Sequence, residues 1–355
     1  MKKILAVLLA VLMCAGLLAG CGDNGESGKE DNGVLNLYTW AGMFDPEVLA
    51  GFEEETGIKI NYVNFDYDET MLAKLQAAKG GEYDLVIADD YIIETVIAEG
   101  LAQKLDTSKL SNYDNINPLY QGQFFDPNDE YTVPYGAGVQ TIAYNPDGVD
   151  VEITGYEDLW NEALKDNLAV IGNYRVIIGM ALKVLGYSYN TENMDELDEA
   201  AELLYELADN IRLIKDDNVQ DDLISGEVSA AVMYTSQVTI AKLTDPNIEI
   251  VYPTEGIGLG IMGMFIPSQA PNAENAYKFI DYILDAEVGA KCFEYLGYYC
   301  TNKAAEEHIA DEYKEFLTLP EDIKQENTEM IENISAEAAE KQSEIWTEFK
   351  TRCGQ

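Results

Sequence analysis

Apolar and polar positions alternate along the chain in a way that predicts short strands followed by amphipathic helices. The first unit begins with an apolar run at 35–38, typical of a buried strand. The pair Asp45-Pro46 then supplies an N-cap and a first helical residue, and apolar residues recur at helical spacing through 48–52. A second strand is predicted at 58–63. This stretch is therefore expected to form a β-α-β unit.

Aromatic and acidic residues follow the predicted strands at the points where the strands end. Trp40 follows the first strand. A helix at 69–79 and a continuously apolar strand at 83–88 come next, and the latter runs directly into Asp89, Asp90 and Tyr91. Open α/β sheets bind ligands at the carboxyl ends of their strands. We therefore predict a ligand site at this edge, and we single out the pair Asp89-Asp90 because it follows a buried strand. Asp90 has an alternative role as the N-cap of the following helix.

A second α/β region begins near residue 156. A short strand at 168–171 is followed by Asn173 and Arg175, and a buried strand at 230–233 has Tyr234 at its tip. Arg175 could meet a ligand carboxylate or pair with a surface acid. The tail, 320–352, is predicted to be helical and strongly charged.

Length and charge narrow the class of protein. A chain of 355 residues exceeds the usual size of one core, so two domains are expected, and an apolar content of 47% supports substantial cores. The 22 Lys and Arg residues against 65 Asp and Glu give a formal net charge of −43. Nucleic-acid binding requires a basic footprint, so we exclude that partner. The acidity serves solvation, or additionally concentrates cationic ligands.

The N-terminus predicts export. Lys2-Lys3 precedes an apolar stretch at 4–18, which is too short to span a bilayer. The stretch ends in Leu-Ala-Gly-Cys21, which resembles the lipobox of bacterial lipoproteins. That resemblance implies a signal peptide over 1–20 and a lipid on Cys21, followed by a flexible tether over 21–33. An ordinary signal peptide with an unrelated cysteine is the alternative. We expect the mature chain to be exported and anchored by its lipid to the outer face of the cytoplasmic membrane.

The remaining motifs argue against a cofactor, a metal site or catalysis. Cys292, Cys300 and Cys353 could form a 300–353 or a 292–300 disulfide, and sequence does not choose between them. The G-x-G-x-x-G at 258–263 continues into an apolar run that resembles a strand, so it suits a chain crossover better than a dinucleotide site. The single histidine, His308, has no partner for a metal site or a catalytic dyad. No cofactor is expected, and the chain is predicted not to be an enzyme.

Several segments resemble the spermidine/putrescine-binding proteins of bacterial ABC transporters between about Leu35 and Asn302. They are LYTWAGMFDPEVLAGFEEETGIKINY, DETMLAKL, YDLVIADDY, VPYGAGVQTIAYN, YEDLW, MALKVLGYS, GEVSAAVMY and EYLGYYCTN. The resemblance implies an α/β, two-lobed periplasmic-binding-protein fold with two hinge crossovers and a ligand cleft between the lobes. Lobe 1 would comprise 34–140 plus 258–302, and lobe 2 would comprise 141–257 plus 303–355. The protein would be a monomer that delivers its solute to an ABC permease and its ATPase.

The resemblance also implies the ligand contacts. Trp40, Tyr91 and Tyr298 match aromatic positions of the family, and Tyr234 stands where the family has Trp. The acidic positions differ: Asn173 and Val176 replace a family Asp and Glu, Met262 replaces another Asp, and Asp89 replaces a Ser. The resemblance therefore predicts a polyamine held in an aromatic-lined cleft. The missing acids leave open a different small solute, such as a monocation, a quaternary amine or a zwitterion. An extracytoplasmic hydrolase is the distant alternative.

Overall fold

A computed structural model describes residues 33–215, 218–320 and 328–355. The predicted signal peptide, the lipid-accepting Cys21 and the tether up to residue 32 lie outside the described residues. Within the described part, the α/β class predicted from the sequence is confirmed.

Ten strands alternate with helices along the described chain. The strands are β1 Val34–Thr39, β2 Lys59–Asn64, β3 Leu85–Asp89, β4 Thr132–Tyr144, β5 Leu168–Val170, β6 Ile211–Ile214, β7 Ala230–Tyr234, β8 Glu249–Val251, β9 Ile257–Phe265 and β10 Thr328–Met330. The α-helices are α1 Pro46–Thr56, α2 Asp68–Ala78, α3 Asp90–Ala98, α4 Tyr174–Val184, α5 Met194–Glu206, α6 Val219–Ser225, α7 Thr235–Thr244, α8 Ala273–Ile283, α9 Ala286–Leu296, α10 Asp311–Lys314 and α11 Ala336–Arg352.

The first lobe is built on the parallel strands β2, β1 and β3, with β9 antiparallel beside β3. Helix α1 begins as predicted, because the Asp45 carboxylate accepts a hydrogen bond from the Glu47 amide at 2.8 Å. It ends at Gly57, whose positive φ of 74° suits glycine. Buried residues of β1 and β3 cover both faces of this sheet, so these two strands are mostly apolar, whereas the edge strand β2 exposes Lys59, Asn61 and Asn64.

The second lobe is built on β6, β5 and β7, which are parallel, with β4 antiparallel to β7. Helices α4 and α5 pack against each other and against α11. Their buried faces join one continuous core with the strands. Because β5 and β7 both end toward the first lobe's strand ends, the side chains that follow them become candidates for the same cleft.

Two strands cross from one lobe to the other. Strand β4 pairs with β9 through Val139 and then with β7 from Gln140 onward. Strand β9 returns antiparallel beside it, and β10 adds a parallel edge along 257–259. These three strands form what we call the crossover ribbon, β10–β9–β4. The lobe boundaries proposed from the sequence place a crossing in this ribbon.

A pair of fully buried tyrosines anchors the ribbon to the second lobe. The Tyr156 hydroxyl donates to the carbonyl of Gln140 on β4 at 3.1 Å and lies 3.4 Å from the Tyr189 hydroxyl. Tyr189 also hydrogen-bonds to the backbone of Gly258 on β9. Its own amide donates to the Glu329 carboxylate on β10 at 3.1 Å. All three strands of the crossover ribbon are thereby tied to one site.

The tail differs from the single helix predicted over 320–352. Its described part contains β10 and the helix α11, because residues 328–330 pair with β9 instead of continuing a helix. Helix α11 packs on α4 and α5 of the second lobe. Residues 303–319, which the sequence prediction assigned to lobe 2, instead pack against α9 through Ala305, Ile309 and Leu317. Residues 303–319 therefore pack with the first-lobe helix α9, whereas α11 packs with second-lobe helices.

The three cysteines of the described residues do not form a disulfide. Cys292, Cys300 and Cys353 are free thiols, so neither open disulfide pairing is formed. Burial raises the pKa of the Cys292 and Cys300 thiols to about 12, which makes them unreactive.

Among the described residues, no helix has the length and apolarity needed to cross a bilayer.

Candidate ligand-binding cleft

The carboxyl ends of β1, β2 and β3 lie at one edge of the first lobe, since these strands are parallel. Trp40 directly follows β1 and is partly buried there. Its ring lies 4.9 Å from that of Phe65, and its carbonyl accepts a hydrogen bond from the Tyr62 hydroxyl at 2.7 Å. The backbone and one face of Trp40 are therefore held in place by the first lobe.

Three carboxyl groups, Asp68, Glu69 and Asp89, meet at the same edge, and we call them the acidic cluster. Asp68 and Glu69 open α2, and Asp89 ends β3. Asp68 is only 5% exposed, and its Oδ1 accepts from the Asp89 amide at 3.4 Å. The side chains of Asp68 and Asp89 also hydrogen-bond to each other. The Tyr91 hydroxyl donates to Glu69 Oε1 at 3.3 Å and closes the cluster on one side.

Burial perturbs the two aspartates of the acidic cluster strongly. It raises the pKa of Asp89 to about 7, the Glu69 charge adds to the rise, and the hydrogen bond from Asp68 opposes it. Burial, reinforced by the charge of Asp89, also raises the pKa of Asp68 well above its usual range. Contact between two buried carboxyl groups favours a form in which the pair shares one proton. An ammonium group would take the place of that proton.

Asp90 has a structural role. It is 2% exposed, and its two oxygens accept from the amides of Tyr91 at 2.8 Å and Ile261 at 2.9 Å. Asp89, not Asp90, occupies the N-cap position of α3, and its side chain makes no capping hydrogen bond. The Asp90 carboxylate therefore fastens β9 to the start of α3, while Asp89 is left to the cleft.

The second lobe contributes residues from the end of β5. The Asn173 side chain caps α4 by accepting from the Val176 amide at 3.3 Å. Next to it, Tyr174 is partly buried, and burial raises its pKa with a contribution from the charge of Glu69. Glu69 belongs to the opposite lobe, so this interaction crosses the cleft. Tyr91 and Tyr174 thus flank the acidic cluster from the two lobes.

Tyr298 and Tyr234 lie near the crossover ribbon. The Tyr298 ring packs on Gly138 of β4 so closely that a Cβ there would fall 2.6 Å from Tyr298 Cδ1. Burial raises the pKa of Tyr298 to about 12, and the charge of Asp89 contributes. Tyr234 ends β7 opposite Gln140, and its amide donates to Gln237 Oε1 at 3.3 Å.

The predicted site residues are thus only partly brought together. The charge of Asp89 acts on Tyr91 and on Tyr298. Asn173 lies beside Tyr174 on the facing lobe, and Trp40 makes its ring contact with Phe65. Three residues of the candidate cleft were not predicted from the sequence: Asp68, Glu69 and Tyr174. The sequence contains a signal for Asp68 and Glu69. They open α2, which follows β2, and the carboxyl end of β2 lies at the same edge as those of β1 and β3.

The described residues contain no group of three or more His, Cys, Asp or Glu side chains arranged to hold a metal ion.

Comparison with known proteins identifies the family. A family described as bacterial extracellular solute-binding proteins matches residues 47–320. The spermidine/putrescine-binding periplasmic protein of Salmonella typhimurium is 36% identical over 283 residues, which cover 79% of this chain and 81% of the relative. A putrescine-binding periplasmic protein of Pseudomonas aeruginosa is 31% identical and covers 86% of each chain.

Solved structures show the same fold. A spermidine/putrescine ABC transporter substrate-binding protein from Streptococcus pneumoniae superposes with a TM-score of 0.79 at 32% identity, over 90% of this chain and 99% of the other. A putative spermidine/putrescine ABC transporter protein from Listeria monocytogenes gives a TM-score of 0.83 at 30% identity, over 89% and 98%. These matches confirm the predicted two-lobed periplasmic-binding-protein fold, and these relatives are transport proteins, not enzymes. The chain belongs to the bacterial extracellular solute-binding proteins, within the group related to spermidine/putrescine-binding proteins.

Proposed function

We propose that the protein is the lipid-anchored solute-binding component of an ABC importer, and that it captures a small organic amine of the polyamine class in the interlobe cleft. One observation carries this proposal: the acidic cluster lies beside Tyr91 and Tyr174 at the strand ends that face between the lobes. The relatives named for spermidine and putrescine support the same ligand class.

The chemistry of the cleft suits an ammonium group. A desolvated ammonium needs carboxylate partners, and Asp89 with Asp68 and Glu69 supplies them. Aromatic faces attract organic cations at about 0.5–2 kcal/mol per contact, and Trp40 and Tyr91 provide such faces. Tyr234 and Tyr298 are proposed to line the methylene chain near the crossover ribbon.

Capture would be coupled to closure of the two lobes, which trap the solute between them. The closed form would then be recognised by the permease, whose ATPase drives import. The protein would act as a monomer, anchored by a lipid on Cys21 after removal of 1–20. Replacement of Cys21 by Ser should move the protein from the membrane fraction to the medium or periplasm. Unchanged fractionation would remove the anchor from the proposal.

Isothermal titration of the purified mature protein with putrescine and spermidine tests the ligand class. We expect saturable binding, and we expect Asp89→Asn to weaken it at least tenfold because the pair loses its charge. Glu202→Gln is the matched control, since Glu202 is an exposed acid on α5, far along the chain from the cleft. If neither amine binds at millimolar concentration, the polyamine class is wrong. If Asp89→Asn binds normally, Asp89 is not a ligand contact.

A further inference from the structure

The charges of the cleft are distributed unequally between its two faces. Burial is the main cause of the raised pKa values of Tyr91, Tyr174 and Tyr298, and the charges of nearby carboxylates raise these pKa values further. The carboxylates that raise these pKa values are Asp68, Glu69 and Asp89, and all three belong to the first lobe. The carboxyl groups that meet at these strand ends therefore come from the starts and ends of first-lobe elements, α2 and β3. The negative pole of the cleft is therefore one-sided.

The facing lobe instead carries a buried guanidinium. Arg175, the second residue of α4, is 6% exposed. Its Nη1 donates to the Glu332 carbonyl at 3.0 Å, and its Nη2 donates to Asn190 Oδ1 at 3.1 Å and, at 3.5 Å, to the carbonyl of Tyr189. These acceptors are neutral, so no ion pair among the described residues cancels the charge of Arg175.

Arg175 lies in the first turn of α4, two residues after Asn173, so it belongs to the helix end that follows the carboxyl end of β5. Its Nε is buried without a hydrogen-bond partner. Burial lowers the pKa of the guanidinium. Four nearby groups raise that pKa: Tyr174, Tyr91, Asp90 and Glu69. Tyr91, Asp90 and Glu69 belong to the first lobe, so the guanidinium acts across the cleft. The N-terminus of α4 adds its own partial positive charge at the same place.

We propose that this cleft selects an amine with one cationic end, bound at the acidic cluster, and a neutral or anionic far end placed toward Asn173 and Arg175. The inference rests on the proposed function and deepens it by naming the ligand class. A second ammonium at the far end would be desolvated next to a guanidinium and a helix N-terminus, on a face where Asn173 supplies an amide and not a carboxylate. A hydroxyl or a carboxylate at that end meets donors instead.

A panel of four-carbon amines that differ only at the far end tests this selection. The panel is putrescine, 4-aminobutan-1-ol and 4-aminobutanoate, titrated calorimetrically into the mature protein at one pH and ionic strength. We expect the tighter of the two single-ended amines to bind at least tenfold more strongly than putrescine. Tightest binding of putrescine overturns the selection but leaves the proposed function intact. If no amine of the panel and no spermidine binds, the proposed function itself fails.

A gain-of-preference variant makes the test independent of loss of folding. Asn173→Asp adds a carboxylate to the far face and still supplies an N-cap to α4, since Asp and Asn cap equally well. The comparison variant is Asn173→Ser, which caps without charge. We expect Asn173→Asp to shift the affinity ratio of putrescine to 4-aminobutan-1-ol at least tenfold toward putrescine, relative to Asn173→Ser. Equal ratios in the two variants would show that the far face does not sense the ligand's second charge, and would refute the inference.

Discussion

Ligand affinity should rise with pH, because the acidic cluster holds a proton that an ammonium must replace. Burial, reinforced by the charge of Glu69, raises the pKa of Asp89 to about 7. Roughly 3% of this carboxyl is then ionised at about pH 5.5 and roughly 90% at about pH 8, since each pKa unit is a tenfold change. An amine that binds only the ionised form should therefore bind roughly 30-fold more tightly at the higher pH, a difference of about 2 kcal/mol.

The assay is calorimetric titration of the best-binding four-carbon amine at several pH values, in buffers with different enthalpies of ionisation. Amines of this kind remain protonated throughout the range, as lysine does. We expect net release of up to one proton from the protein on binding below about pH 7. Asp89→Asn should abolish both the pH dependence and the proton release, whereas Glu202→Gln should retain both. Constant affinity across the range, or binding without proton release, would refute the shared proton.

The raised pKa of Asp89 also predicts that the stability of the unliganded protein falls as the pH rises. The pKa of Asp89 is raised on folding, so its contribution to stability is complete below the unfolded value near 3.8 and is lost as the pH rises through about 7. The melting temperature of the unliganded protein should therefore fall between about pH 5.5 and 8, while the increase caused by ligand should grow. A ligand-induced increase that does not grow with pH would contradict the linkage.

Three substitutions test the packing and the cleft. Trp40→Ala should weaken amine binding about tenfold, from the loss of about 1–2 kcal/mol of cation–π attraction, while Trp40→Phe retains most of the affinity; equal affinities would exclude the ring from the site. Gly179→Ala should destabilise the second lobe by about 1–3 kcal/mol in denaturant unfolding, because the added Cβ would fall 2.0 Å from Tyr189 Cδ1; without that contact, alanine would stabilise the helix. Gln342→Met should raise the free energy of unfolding by about 1–3 kcal/mol, since both polar atoms of this 1% exposed amide lack partners; a lower stability would indicate an internal water or another partner for the amide.

The local pattern of the sequence was sufficient for the strand ends. Trp40, Asp89 and Tyr91 were identified because each follows an apolar run that forms a strand of the sheet. Their common edge follows from parallel pairing, which strands separated by helices strongly favour. The fold class was likewise predictable from the alternation of strands and helices.

The composition of the acidic cluster was not predictable in the same way. Asp68 and Glu69 look like ordinary acidic residues in the first turn of a helix, where they favour the helix dipole. Only the pairing of β2 with β1 and of β1 with β3 brings that first turn against Asp89. The role of Tyr174 depends on an interaction between the two lobes, which a local pattern cannot reveal. The packing of 303–319 on α9 likewise has no local signature in the sequence.

The crossover ribbon has a consequence for how the two lobes can move. Its three chain segments are not independent flexible linkers, because β9 is hydrogen-bonded to β4 on one side and to β10 on the other. Separate linkers would permit sliding and tumbling, whereas a hydrogen-bonded ribbon resists in-plane sliding and yields most readily to twist. The buried tyrosines hold its second-lobe end in one piece. In the proposed closure, the ribbon would therefore restrict the lobes to one path of approach, so that part of the entropy cost of enclosing a solute would already be lost in the empty protein.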